Sequence, residues 1–142
     1  MINVILDNSG SMQENGKSDA LIYIAKCLQD YCVQNGFDIS FFDISNKKII
    51  ELENLEFDNY GILLEQKENS ILLSDGYLDI NDIKFDIFIG IGADAIFMNV
   101  KKKYDILIKP ENAIYAIDFF KYFKNESSKI TQDSKDENDD EW

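Results

Sequence analysis

At 142 residues the chain is long enough for one hydrophobic core and too short for two, and its 45% apolar and 13% aromatic content can furnish that core. All 14 basic residues are lysine, with no arginine and no histidine, which excludes a histidine general base, a Ser-His-Asp or Cys-His pair, a histidine-ligated zinc and an arginine finger. A net charge of −13 disfavours nucleic acid and anionic membrane as partners, whereas the many carboxylates and hydroxyls are hard oxygen donors suited to Mg²⁺, Mn²⁺ or Ca²⁺.

The chain opens on the apolar run Ile2–Leu6, a predicted strand bounded by the turn-forming Asp7-Asn8-Ser9-Gly10. No basic segment with an apolar stretch and a cleavage site precedes it, and no run approaches the ~18 apolar residues of a membrane span. From Lys17 to Gln34, Leu21, Ile24, Ala25, Leu28, Tyr31 and Cys32 recur at three and four, which predicts a helix with one buried face that stops at Asn35-Gly36. Cys27 and Cys32 stand about 140° apart around that helix, so free thiols of a reducing, cytoplasmic compartment are expected rather than a disulfide.

Phe37–Ile44 and Lys48–Leu52 read as strands joined through Ser45-Asn46-Lys47, a hairpin. A short helix is expected over Tyr60–Lys67, and a strand at Ser70-Ile71-Leu72-Leu73 ends in Ser74-Asp75-Gly76. Further strands are expected at Phe85–Ile91 and Tyr104–Ile108, with room for a short helix between Ala93 and Lys102. Lys101-Lys102-Lys103 then reads as a solvated helix end, stabilised by the dipole there. A last helix opens at Pro110 and carries Ile114, Ile117, Phe120 and Phe123 on one stripe.

Buried strands alternating with amphipathic helices predict an α/β fold with a mostly parallel sheet and one antiparallel edge strand from the hairpin. The folded domain is expected over residues 1–125. Residues 126–142 form an acidic tail with seven acids against two lysines, disordered when alone, and with the tail's −5 set aside the body carries −8. The only tryptophan, Trp142, ends that tail. Asp136–Trp142 therefore reads either as a solubilising tail or as a docking peptide for a basic partner surface.

The sharpest chemical signal is Asp7-Asn8-Ser9-Gly10-Ser11-Met12. In the pattern D-x-S-x-S a turn brings one carboxylate and two hydroxyls together at a strand's carboxyl end, half an octahedral shell for a small divalent cation. The same residue types also suit a plain turn that caps the next helix. Asp75 ends a second buried strand, and if the two strands are neighbours it faces Asp7, Ser9 and Ser11 across the crevice where doubly wound sheets bind ligands. Two carboxylates that close repel unless a cation or proton lies between them.

Val4-Ile5-Leu6-Asp7-Asn8-Ser9-Gly10-Ser11-Met12 resembles the opening of a von Willebrand factor type A (vWA) domain, whose D-x-S-x-S loop forms the metal-ion-dependent adhesion site (MIDAS). Leu72-Leu73-Ser74-Asp75-Gly76 is similar to the family's later strand, Phe88-Ile89-Gly90-Ile91-Gly92 to the one after it, and Phe37–Leu52 to its central hairpin, so the resemblance spans roughly residues 2–124. It implies a Rossmann-like sheet of order 3-2-1-4-5-6 with helices on both faces. It also implies a cation, Mg²⁺ or else Mn²⁺ or Ca²⁺, held directly by Ser9 and Ser11 and through waters by Asp7 and Asp75. The family's threonine ligand has no counterpart, since the only threonine is Thr131 in the tail; Asp58 or Asn59 stands where a substitute would be.

The resemblance implies an intracellular, non-enzymatic module that binds a partner protein's carboxylate through the cation, in a setting such as an AAA+ ATPase or a bacterial stress or defence system. A metal-free interaction scaffold is one alternative. The other is a Mg²⁺-dependent phosphohydrolase with Asp7 as nucleophile, although enzymes of the haloacid dehalogenase type want a second aspartate where this chain has Ser9. Gly90-Ile91-Gly92-Ala93-Asp94-Ala95 matches G-x-G-x-x-A but follows a late strand rather than the first.

Overall fold

Val4, Ile5 and Leu6 have no exposed surface, and a strand apolar on both faces belongs in the interior of a covered sheet. In a computed structural model, which describes residues 1–78, 83–96 and 100–108, this run is β1 (Ile2–Leu6). It lies between β2 (Ile39–Phe42) and β4 (Ser70–Ser74), parallel to both. Outside β2 runs the short antiparallel β3 (Lys48–Ile49), and outside β4 come β5 (Lys84–Ile91) and β6 (Lys101–Ile108), both parallel. The six-stranded order is β3-β2-β1-β4-β5-β6. The expected α/β class, with a mostly parallel sheet and one antiparallel pair, is what the described residues form.

The single α-helix among the described residues, α1 (Lys17–Asn35), ends where the Gly36 N–H bonds back to the Cys32 carbonyl. It buries Ala20, Leu21, Ile24, Ala25, Leu28 and Cys32 against Val4, Leu6, Ile71, Leu73, Ile87 and Ile89, one face of the pleat. Ile5, Leu72 and Phe88 point to the other face and cluster with Ile44, Leu78, Phe85 and Val100. The last helix, expected from Pro110, and the acidic tail with Trp142 lie outside the described residues. The thiols form no disulfide: Cys32 is buried, which pushes its pKa up to about 12, while Cys27 is only half-buried.

The hairpin turn is tied by Asp43, whose Oδ1 accepts from the backbone N–H groups of Ser45 and Lys47. Two expectations fail here. Tyr60–Lys67 is not helical, because its backbone finds partners other than i−4 ones: Leu63 N–H donates to the distant Ile44 carbonyl at 2.8 Å, and Gly61 N–H to the side-chain Oδ1 of Asn59 two residues back. Leu63 stays exposed. Lys101-Lys102-Lys103 is not a helix end but the start of β6, three residues earlier than the apolar run suggested, because parallel pairing with Lys84 and Phe85 extends the ladder. A strand at the sheet's edge tolerates lysine there. Of the stretch from Ala93 to Lys102, where a short helix had room, residues 97–99 lie outside the described residues; Ala93 and Asp94 form a turn, and Lys101 and Lys102 belong to β6.

Candidate metal centre

Because β1 and β4 are neighbours, with the Asp7 N–H donating to the Leu73 carbonyl at 3.0 Å, their carboxyl ends deliver Asp7 and Asp75 to one place. The loop after β1 turns back over them through a 3₁₀ turn, Gly10–Gln13, anchored by the fully buried Met12. Ser9 Oγ donates to Asp7 Oδ1 at 2.6 Å and Ser11 Oγ to Asp75 Oδ2 at 3.0 Å, and the two hydroxyl oxygens are 3.4 Å apart. All four predicted site residues are thus brought together at the carboxyl edge of the sheet.

Both carboxylates have no exposed surface. Ser74 Oγ donates to Asp7 Oδ2 at 2.6 Å and is itself fixed by the Gly76 N–H, while the Tyr77 N–H donates to Asp75 Oδ1. Burial raises the pKa of Asp7; hydrogen bonds from Ser74 and Ser9 oppose the rise, and the charge of Asp75 adds to it. Asp7 therefore carries negative charge at a cost, and a nearby cation would relieve it.

Of the candidates for a replacement ligand, Asn59 lines a cavity of about 330 Å³ with Ser9 and Ser11 but commits its side chain elsewhere. Asn59 pairs with Ser9 through the backbone, but its side chain donates to Ser45 Oγ at 2.6 Å and accepts from Gly61. Asp58 is exposed and lines a separate cavity of about 410 Å³ with Asn8 and Asp43.

Sequence reading missed Lys17. Its side chain is 2% exposed, and its ammonium lies 3.1 Å from Asp75 Oδ2 and 3.0 Å from Asp94 Oδ1. Burial alone would lower its pKa, but hydrogen bonds to Asp94 and Asp75 and their charges outweigh that and raise it. The signal was available: the buried stripe of α1, carried back one turn from Leu21, lands on Lys17. A lysine in a helix's first turn also opposes the dipole, so it needs an anion nearby. The second glycine of the G-x-G-x-x-A stretch has a related role. Gly92 has φ +100°, and a Cβ there would lie 2.9 Å from Lys17 Cε, so the glycine makes room for the lysine stem.

The donor set suits a hard divalent cation. It consists of two buried carboxylates and two half-buried hydroxyls whose protons are already committed to those carboxylates, which leaves the hydroxyl lone pairs free to ligate. Among the described residues no three His, Cys, Asp or Glu side chains gather into a metal cage, so a cation here relies on hydroxyls and water as much as on carboxylates. The chain matches no protein-family model, no curated protein and no solved structure. No helix among the described residues is long and apolar enough to cross a membrane.

Proposed function

We propose that the chain is a vWA-type binding module of the cytoplasm that holds Mg²⁺, or Mn²⁺ or Ca²⁺ in its place, at Asp7, Ser9, Ser11 and Asp75, and through it engages a carboxylate of a partner protein. The observation that carries this reading is the union of two loops distant in sequence, in which Ser11 of the first donates to Asp75 of the second at 3.0 Å. When bound, the cation would supply an open coordination position for the partner's carboxylate. Asp7 and Asp75 orient the two hydroxyls by accepting hydrogen bonds from them, and Ser74 donates to the other oxygen of Asp7. An AAA+ ATPase is the partner class the family resemblance suggests.

An aspartyl nucleophile is the weaker reading, because both Asp7 oxygens accept short hydrogen bonds and neither is exposed. The metal-free scaffold has one observation in its favour, the Lys17 ammonium already beside Asp75.

Thermal melts with Mg²⁺, Mn²⁺ or Ca²⁺ separate these readings. A cation at 100 times its Kd that binds only the folded chain adds about 2.7 kcal/mol of stability. The gain should vanish in EDTA and in the Ser9→Ala/Ser11→Ala double variant, and a short glutamate-containing peptide should bind only with cation present. Melts unmoved by any of the three cations would refute the metal reading.

A further inference from the structure

We propose that Lys17 is a tethered cation that competes with the divalent ion for Asp75 and so sets the site's affinity; this rests on the metal-binding reading above. Asp7, Asp75 and Asp94 bring three negative charges to one edge of the sheet, and Lys17 reaches two of them. Asp75 Oδ2 accepts from Lys17 Nζ and from Ser11 Oγ together, so a cation drawing on that carboxylate meets an oxygen already shared and a positive charge in contact with it.

The lysine position is built. Gly92 leaves room for the stem, the Tyr77 ring lies 5.8 Å from the ammonium, and Asp94, 51% exposed at the rim, offers a second carboxylate on the solvent side. The Lys17 ammonium thereby offsets the charge of Asp75 from within the chain. Loading would release the ammonium from Asp75 toward Asp94, and by linkage the Lys17–Asp75 contact weakens cation binding by the same factor as the cation weakens that contact.

Two measurements on the full chain test this. Calorimetric titration with Mn²⁺ should give Lys17→Met a Kd at least tenfold lower than wild type, with circular dichroism establishing that the variant is folded. In wild type, amine acetylation read by mass spectrometry should modify Lys17 at least tenfold more slowly than Lys26, whose side chain is 43% exposed. Saturating Mn²⁺ should then raise the Lys17 rate at least fivefold and leave Lys26 unchanged. If the variant does not fold, the labelling decides alone. Binding by Lys17→Met where wild type binds none would support the proposal most strongly. Equal affinities, or a Lys17 that stays protected at saturating Mn²⁺, would overturn it and leave the metal site standing. An absence of binding in both chains would overturn the metal reading and this proposal together.

Discussion

The Lys17–Asp75 pair should show its burial as a coupling energy. Removing one member of a buried pair costs ~3–5 kcal/mol when the other is left without a partner. Here neither is wholly abandoned: Asp75 keeps Ser11 and the Tyr77 N–H, and Lys17 keeps Asp94. Lys17→Met and Asp75→Asn should each then cost about 2–3 kcal/mol, or roughly 6–12 °C in Tm for a domain of this size. The double variant leaves no charge stranded, so its cost should fall short of the sum by about 2 kcal/mol.

Urea unfolding of the four chains without divalent ion, with unchanged m-values as the check on two-state behaviour, measures the cycle. Lys26–Glu53 supplies an internal control. Its ion pair is as short, 3.1 Å, but its side chains are 43% and 64% exposed, and it should show no resolvable coupling. The raised pKa of Lys17 sets the pH window: the stabilisation is complete below the ordinary lysine range and is lost as pH rises through the raised value. Additivity of the Lys17 and Asp75 substitutions within ~0.5 kcal/mol would refute the claim that the ammonium is held in a buried ion pair.

Asp7→Asn should melt higher than wild type at neutral pH without cation, because it removes a buried charge whose pKa burial has raised, and it should lose the gain from Mg²⁺. The difference should shrink as pH falls through the raised Asp7 value, since protonation removes the same charge from wild type; a difference independent of pH would count against a charged Asp7. Gly76→Ala should cost about 2–4 kcal/mol in urea unfolding, since φ is +86° and a Cβ would lie 1.8 Å from the Ile96 carbonyl oxygen, forcing apart the bond from Ile96 N–H to the Asp75 carbonyl. A cost under ~0.5 kcal/mol would mean that the 92–96 turn does not pack over Gly76.

Periodicity was enough to read β1, α1 and β4 from the amino acids, because each buries a continuous run or a clean stripe whose pattern is local, whereas the hairpin's second strand, expected over Lys48–Leu52, is only Lys48–Ile49, with Ile50 exposed and Leu52 in a 3₁₀ turn. The D-x-S-x-S loop and Asp75 were legible as a candidate pair for a similar reason: strand ends before Gly and Ser turns mark where a parallel sheet presents side chains. That they meet was decided only by the pairing of β1 with β4, a contact some 67 residues apart in the chain. Tyr60–Lys67 and Lys101-Lys102-Lys103 departed from expectation because tertiary hydrogen bonds, to Ile44 in one case and along β5 in the other, outweigh local propensity. Lys17 shows the division most sharply. Its place on the buried stripe of α1 was written in the spacing, but a lysine becomes stable there only when Asp75 and Asp94, from two other loops, arrive to balance its charge, and no local pattern encodes that arrival.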